Sequence, residues 1–152
     1  MSEVNYSLAV NGEEVARSAS TDQFFISNKK TTQDYRAAFA RAVGTTGSIA
    51  KITRMAFGVG GEADAQGNPL PPTDTGGLND QVLIKDIVSV TYPVPTTVKF
   101  RAEIAKGELA SAAINEIALV AEDGTTAAKM RCLTSKGIDA ESGGVFDFAM
   151  EF

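Results

Sequence analysis

The sequence contains no histidine, no tryptophan and a single cysteine in 152 residues. Each absence removes a class of chemistry. Without histidine there is no Ser-His-Asp triad, no Cys-His dyad and no His-ligated zinc site. Without tryptophan the best stacking face for a sugar is missing, although three tyrosines and eight phenylalanines remain. Cys132 alone forms neither an internal disulfide nor a multi-cysteine metal site. Its alternating neighbours place it on the inner face of a strand as a small hydrophobe, and a chain with one such thiol suits a reducing cytoplasm. Basic residues are outnumbered, 14 Lys+Arg against 19 Asp+Glu, for a net charge of −5. A chain so charged has no basic footprint for nucleic acid or an anionic membrane surface. No run approaches the ~20 apolar residues of a membrane span. Residues 1–10 have neither the basic start nor the apolar core of a secretory signal. These absences predict a soluble protein with no nucleic-acid partner, no membrane partner, no metal and no cofactor.

What is present is a chain of one-domain length with 43% apolar residues, enough to bury a single core. Residues 1–30 are weakly patterned and read as an N-terminal arm, with one short strand over Tyr6–Val10 closed by a turn at Asn11-Gly12. Within it, Phe24, Phe25 and Ile26 form an apolar run that needs a partner surface. One helix follows. Thr31 or Thr32 caps it, Asp34 complements its first turn, and Tyr35, Phe39 and Ala42 or Val43 form one apolar stripe. Gly44 ends it, with a left-handed glycine expected there.

From Ile49 the hydrophobic period switches to two. Strands are predicted over Lys51–Val59, Val82–Tyr92, Val98–Ala105, Ile114–Ala121, Thr126–Leu133 and Phe146–Phe152, with Asp123-Gly124 as a hairpin turn. Between the first two lies a long loop, Gly58–Gly77, rich in glycine and proline and expected to be a binding loop or an arm that orders in an assembly. The pattern predicts a mainly β fold: an antiparallel β-sandwich with one short helix packed on it, spanning residues 31–152.

Motifs that carry chemistry are weak. Gly58-x-Gly60-x-x-Ala63 follows a strand like a dinucleotide fingerprint, but Gly67-Asn68-Pro69 prevents the helix that would hold the phosphates. Ser48-x-x-Lys51 matches an acyl-enzyme motif that requires a helix, and it opens a strand instead. Asp64, Asp74 and Asp80 carry carboxylates near the loop at spacings that fit no EF-hand. Glu116 has no second acid at a catalytic spacing, and an ion pair with Lys99 or Arg101 is expected for it. No catalytic residue is assigned, and the chain is not expected to be an enzyme.

Four stretches carry a family resemblance. They are Ile52-Thr-Arg-Met-Ala-Phe-Gly58-Val-Gly60-Gly61, the loop with Pro69 and Pro71-Pro72, Ile114-Asn-Glu-Ile-Ala-Leu119 with Asp123-Gly124, and the ending Phe146-Asp-Phe-Ala-Met-Glu-Phe152. In this order, from Gln33 to the end, they resemble the N-terminal attachment domain of tail-fibre (tail-collar fibre) proteins of contractile-tailed phages and related particles. The resemblance implies a β-rich virion structural module that joins a fibre to the tail baseplate, commonly as a trimer, with no catalytic residues. Its partners would be other tail or baseplate proteins and the fibre, and its place the virion tail, assembled in the bacterial host cytoplasm. The chain has no repetitive shaft or receptor-binding tip, which implies an adaptor. The expected partner contacts are Phe24, Phe25, Ile26, Pro69, Leu70, Pro71 and Pro72. The alternative is a carbohydrate-binding module at the host surface, with Tyr92 and Tyr35 as the stacking rings.

Overall fold

Alternating apolar side chains bury one side of each strand they mark, and two such sheets laid face to face close a core. A computed structural model describes residues 5–11, 13–17, 29–44, 47–73 and 75–152. Among these residues are ten strands and one helix: β1 (Asn5–Val10), β2 (Glu13–Arg17), β3 (Lys29–Thr31), α1 (Gln33–Val43), β4 (Ile52–Gly58), β5 (Gln81–Asp86), β6 (Ser89–Thr91), β7 (Thr97–Ile104), β8 (Ser111–Ala121), β9 (Thr126–Asp139) and β10 (Gly144–Glu151). They form two five-stranded sheets, ordered β2-β1-β10-β7-β6 and β3-β9-β8-β4-β5. All the pairings are antiparallel. The described residues form a mainly β, antiparallel sandwich with one short helix, as the periodicity predicts.

The core lies between the sheets. Leu8, Phe100, Phe146, Phe148 and Met150 from one sheet meet Met55, Phe57, Ile117, Leu119 and Met130 from the other, each with at most 6% of its surface exposed. Phe57 and Phe146 touch across the layers edge to face, ring centres 4.7 Å apart, a favoured aromatic geometry. Cys132 sits in this core, and burial pushes its thiol up to about 12.

Residues 5–11 and 13–17 differ from the arm reading. β1 pairs with β10 over its whole length, Asn5↔Glu151 to Val10↔Phe146, and Leu8 and Val10 are core residues. The strand predicted over Tyr6–Val10 is therefore present, and what its polar neighbours mask is that it is an inner strand of a sheet and not part of an arm, because only every second side chain has to be apolar. Asn11 makes the predicted turn at φ 53°, and its Oδ1 accepts from the Val145 N–H at 2.9 Å. Phe24, Phe25 and Ile26 lie outside the described residues.

The single predicted strand over Val82–Tyr92 is two strands in different sheets. The change of sheet takes one residue: Ile87 N–H donates to Thr53 on β4, and Val88 N–H donates to Arg101 on β7. The helix begins at its Thr32 cap, whose hydroxyl accepts from Tyr35 N–H at 3.3 Å and donates to the Thr126 carbonyl. At the other end, Gly44 has φ −77°, so the expected left-handed cap is not formed, although its N–H still closes on Ala40. The helix buries no residue fully, and Val43 is 69% exposed. Among the described residues no helix is long and apolar enough to cross a membrane.

Candidate functional site

The outer face of the sheet β3-β9-β8-β4-β5 reads in sequence as a solvated face, because Glu116, Lys129 and Arg131 alternate with core residues. In the structure all three are buried, at 6%, 2% and 9% exposure. What covers them is the long loop between β4 and β5, which folds back over the sheet. A buried charge is costly unless it is paired or fully hydrogen-bonded, and each of the three meets this demand with loop backbone.

Glu116 accepts from three backbone N–H groups: Gly60 and Asp80 at 2.8 Å on one carboxylate oxygen, and Asn79 at 2.9 Å on the other. It therefore gathers both ends of the loop onto β8. No ion pair joins it to Lys99 or Arg101, because those side chains belong to the other sheet, where Arg101 grips Asp147 at 2.8 and 3.0 Å. Lys129 Nζ donates to Thr73 Oγ1, the Thr75 carbonyl and the Gly77 carbonyl at 2.8 to 3.1 Å. Arg131 donates to the carbonyls of Glu62, Asn115 and Cys132. Gly61 N–H is taken by Asn115 Oδ1 at 2.9 Å.

The glycines now have a physical reason. A Cβ on Gly58 would lie 2.5 Å from the Glu116 carboxylate and 2.7 Å from the Asp80 carbonyl, and one on Gly61 would lie 2.5 Å from Arg131 Nε. The Gly58-x-Gly60-Gly61 run lets the backbone approach these side chains, and its N–H groups already have internal acceptors where a phosphate would need them free. The motifs Ile52–Gly61 and Ile114–Leu119, far apart in sequence, meet here at one carboxylate.

The loop tip is a tight reversal. Asp64 accepts from the N–H groups of Gln66 and Asn68 and from Asn68 Nδ2, and Ala63 bridges to Pro69. These hydrogen bonds, that of Asn68 N–H foremost, hold the Asp64 carboxyl below the usual carboxylate range. Asp64 is thus a turn residue. Asp74 lies outside the described residues, and Asp80 contributes its backbone N–H to Glu116. Among the described residues no cluster of three or more His, Cys, Asp or Glu groups is placed to hold a metal. Ser48 and Lys51 both precede β4 and are exposed.

Of the expected contact residues, the structure brings Leu70, Pro71 and Pro72 together around a cavity of about 20 Å³ that also reaches Glu116, Lys129 and Arg131. Leu70 and Pro71 are exposed, while Pro69 and Pro72 are half-buried. Of the two expectations for the loop, a binding loop or an arm that orders in an assembly, the second is not needed for its order, because its own sheet supplies hydrogen bonds along it. Sequence reasoning missed the three charged clamps because a Lys or Arg at an outward strand position ordinarily faces water.

A second surface lies at one end of the sandwich. An open apolar groove of about 400 Å³ runs between Tyr35 and Ile52 on one side and Val90 and Tyr92 on the other, floored by Phe100 and Met150. Burial, with the nearby Asp123 charge, raises the Tyr35 hydroxyl above its usual value. Tyr92 is 69% exposed at the rim.

Among known proteins, the chain matches no family model, no curated protein and no solved structure.

Proposed function

We propose that this chain is a virion structural module, an adaptor that joins tail fibres to a phage tail or baseplate through protein–protein contacts and carries out no catalysis. The observation that carries the reading is the meeting of its two most distinctive motifs. Gly58 and Gly60 from one and Glu116 from the other form a single clamp that shapes the loop. The residue types on which the family resemblance rests are therefore those that this loop architecture requires. A pre-shaped loop presenting Leu70 and Pro71 suits docking, because a partner need not first order it. Its partners would be tail or baseplate proteins, with copies of the chain itself associating in the same assembly.

The test is location. Antibody against this chain, applied to purified particles from a lysate of the producing bacterium, should decorate the tail or baseplate in negative-stain micrographs. The chain should also appear among the proteins of those particles by mass spectrometry. Its absence from purified particles would sink the reading. A second reading, a carbohydrate-binding module, draws on Tyr35 and Tyr92 lining one groove. It predicts glycan-array binding that is lost in Tyr92→Ala.

A further inference from the structure

Among the described residues each sheet has two edge strands, and a free edge invites pairing with another chain unless it is guarded. The sequences of three of these four strands include charged residues: Glu13, Glu14 and Arg17 in β2, Lys29 and Lys30 in β3, Lys85 and Asp86 in β5. The fourth, β6, carries none, and no charged residue stands between Asp86 and Lys99. Five of the eight large apolar side chains exposed among the described residues lie along this edge: Val88 (55%), Val90 (43%), Tyr92 (69%), Val94 (52%) and Phe152 (55%). Phe152 joins the patch because its N–H donates to the Thr96 carbonyl in the turn after β6.

We propose that this edge is the seam at which a second copy of the chain docks, burying Val90 and Tyr92. Two arguments select a second copy over another occupant. Each chain carries a net charge of −5, and among the described edge strands β6 alone has no charged residue, so two copies can meet there without bringing like charges together. The area is also sufficient. The five side chains expose roughly 500 Å² per copy, in the upper part of the range for the largest apolar patch on a monomer, and the about 1,000 Å² across a pair reaches the lower bound for a specific interface. The inference deepens the self-association that belongs to the attachment reading by assigning it a surface.

The test is the mass of the full chain by light scattering coupled to size exclusion, across a hundredfold range of concentration. The unsubstituted protein should run as a multiple of 15.9 kDa, and that multiple reports the symmetry. Val90→Lys and Tyr92→Ser each change an exposed side chain, and each should weaken association at least tenfold while circular dichroism stays unchanged. Val43→Lys, an equally exposed apolar site on the helix, should leave the mass alone. A native protein of 15.9 kDa throughout, or an oligomer indifferent to both β6 substitutions, overturns the seam. Either outcome leaves the attachment reading to be decided by particle labelling, so the two can fail separately.

Discussion

Glu116 holds three backbone N–H groups that no other described side chain reaches, and its removal is felt at both ends of the loop. Glu116→Gln keeps the shape but replaces one acceptor oxygen with a donor, leaving at least one loop N–H facing an N–H. Hydrogen bonds to charged groups are worth about 1.5–3 kcal/mol each, so the variant should lose about 2–3 kcal/mol in urea unfolding and be cleaved by protease within residues 59–80. A loss under about 0.5 kcal/mol would show that the clamp is ornamental. The glycines make a paired test. Gly58→Ala forces a Cβ against Glu116 and Asp80 and should cost about 1–3 kcal/mol. Gly77→Ala, whose nearest neighbour would be Thr126 at 3.8 Å, should be close to neutral. Equal effects of the two would refute the close-approach account.

At the scale of elements, β10 matters most. It lies between β1 and β7, is paired on both sides along its length, and contributes Phe146, Phe148 and Met150 to the core. Fully burying side chains of this kind is worth about 1.5–3 kcal/mol each, and whole-domain stability is only about 5–15 kcal/mol. A chain ending at residue 143 should therefore show no cooperative melting and no dispersed amide spectrum. A folded truncate would contradict the central place of β10. The helix is the opposite case: with no fully buried residue and a half-buried stripe of Tyr35, Phe39 and Ala42, it covers the sandwich without carrying its core. Its firmest tie is Thr32, buried at 2% and bonded to both the helix and β9.

For the molecule as a whole, the missing histidine shapes the response to pH. The carboxyls of Asp64, Glu108, Asp123 and Asp139 are all held below their usual range. The leading causes are the N–H of Asn68, the Lys85 ammonium, the N–H of Thr125 and the N–H of Glu141, respectively. Because their folded values lie below the unfolded ones, the unfolded chain binds more protons, and stability rises with pH through this window. The contribution is fully present above the ordinary carboxylate values of about 3.9–4.3 and is lost as pH falls through the lower folded values. Glu108, Asp123 and Asp139 are exposed and Asp64 is half-buried, so screening keeps the slope shallow. With no imidazole to titrate, urea midpoints should be flat between about pH 5 and 7 and fall below about pH 4. A break near pH 6 would point to a perturbed buried carboxyl and overturn this assignment.

Much of this was legible in the order of residues, and what was legible has one character. Period-two alternation identified the later strands, their inner faces and the burial of Cys132, because a pleated strand sends every second side chain to the same side. The Thr32 cap, the Asn11 turn and the Asp123-Gly124 hairpin were readable because a turn's chemistry is local. What was not legible depends on which segment lies over which. Lys129 and Arg131 have the pattern of solvent-facing residues, and only the return of the loop over the sheet buries them. Ile87 and Val88 read as one strand, and only the positions of β4 and β7 send them to different sheets. Residues 6–10 read as a short strand within an arm, and only the edge that β10 offers beside them makes that strand part of a sheet. Local sequence determined the elements and their faces through backbone sterics and side-chain alternation. Tertiary structure alone decided the loop clamp and the β6 edge left open among the described residues, because side-chain hydrogen bonds from the loop to β8 and β9, between residues 36 to 69 positions apart, exist only once these segments have come together.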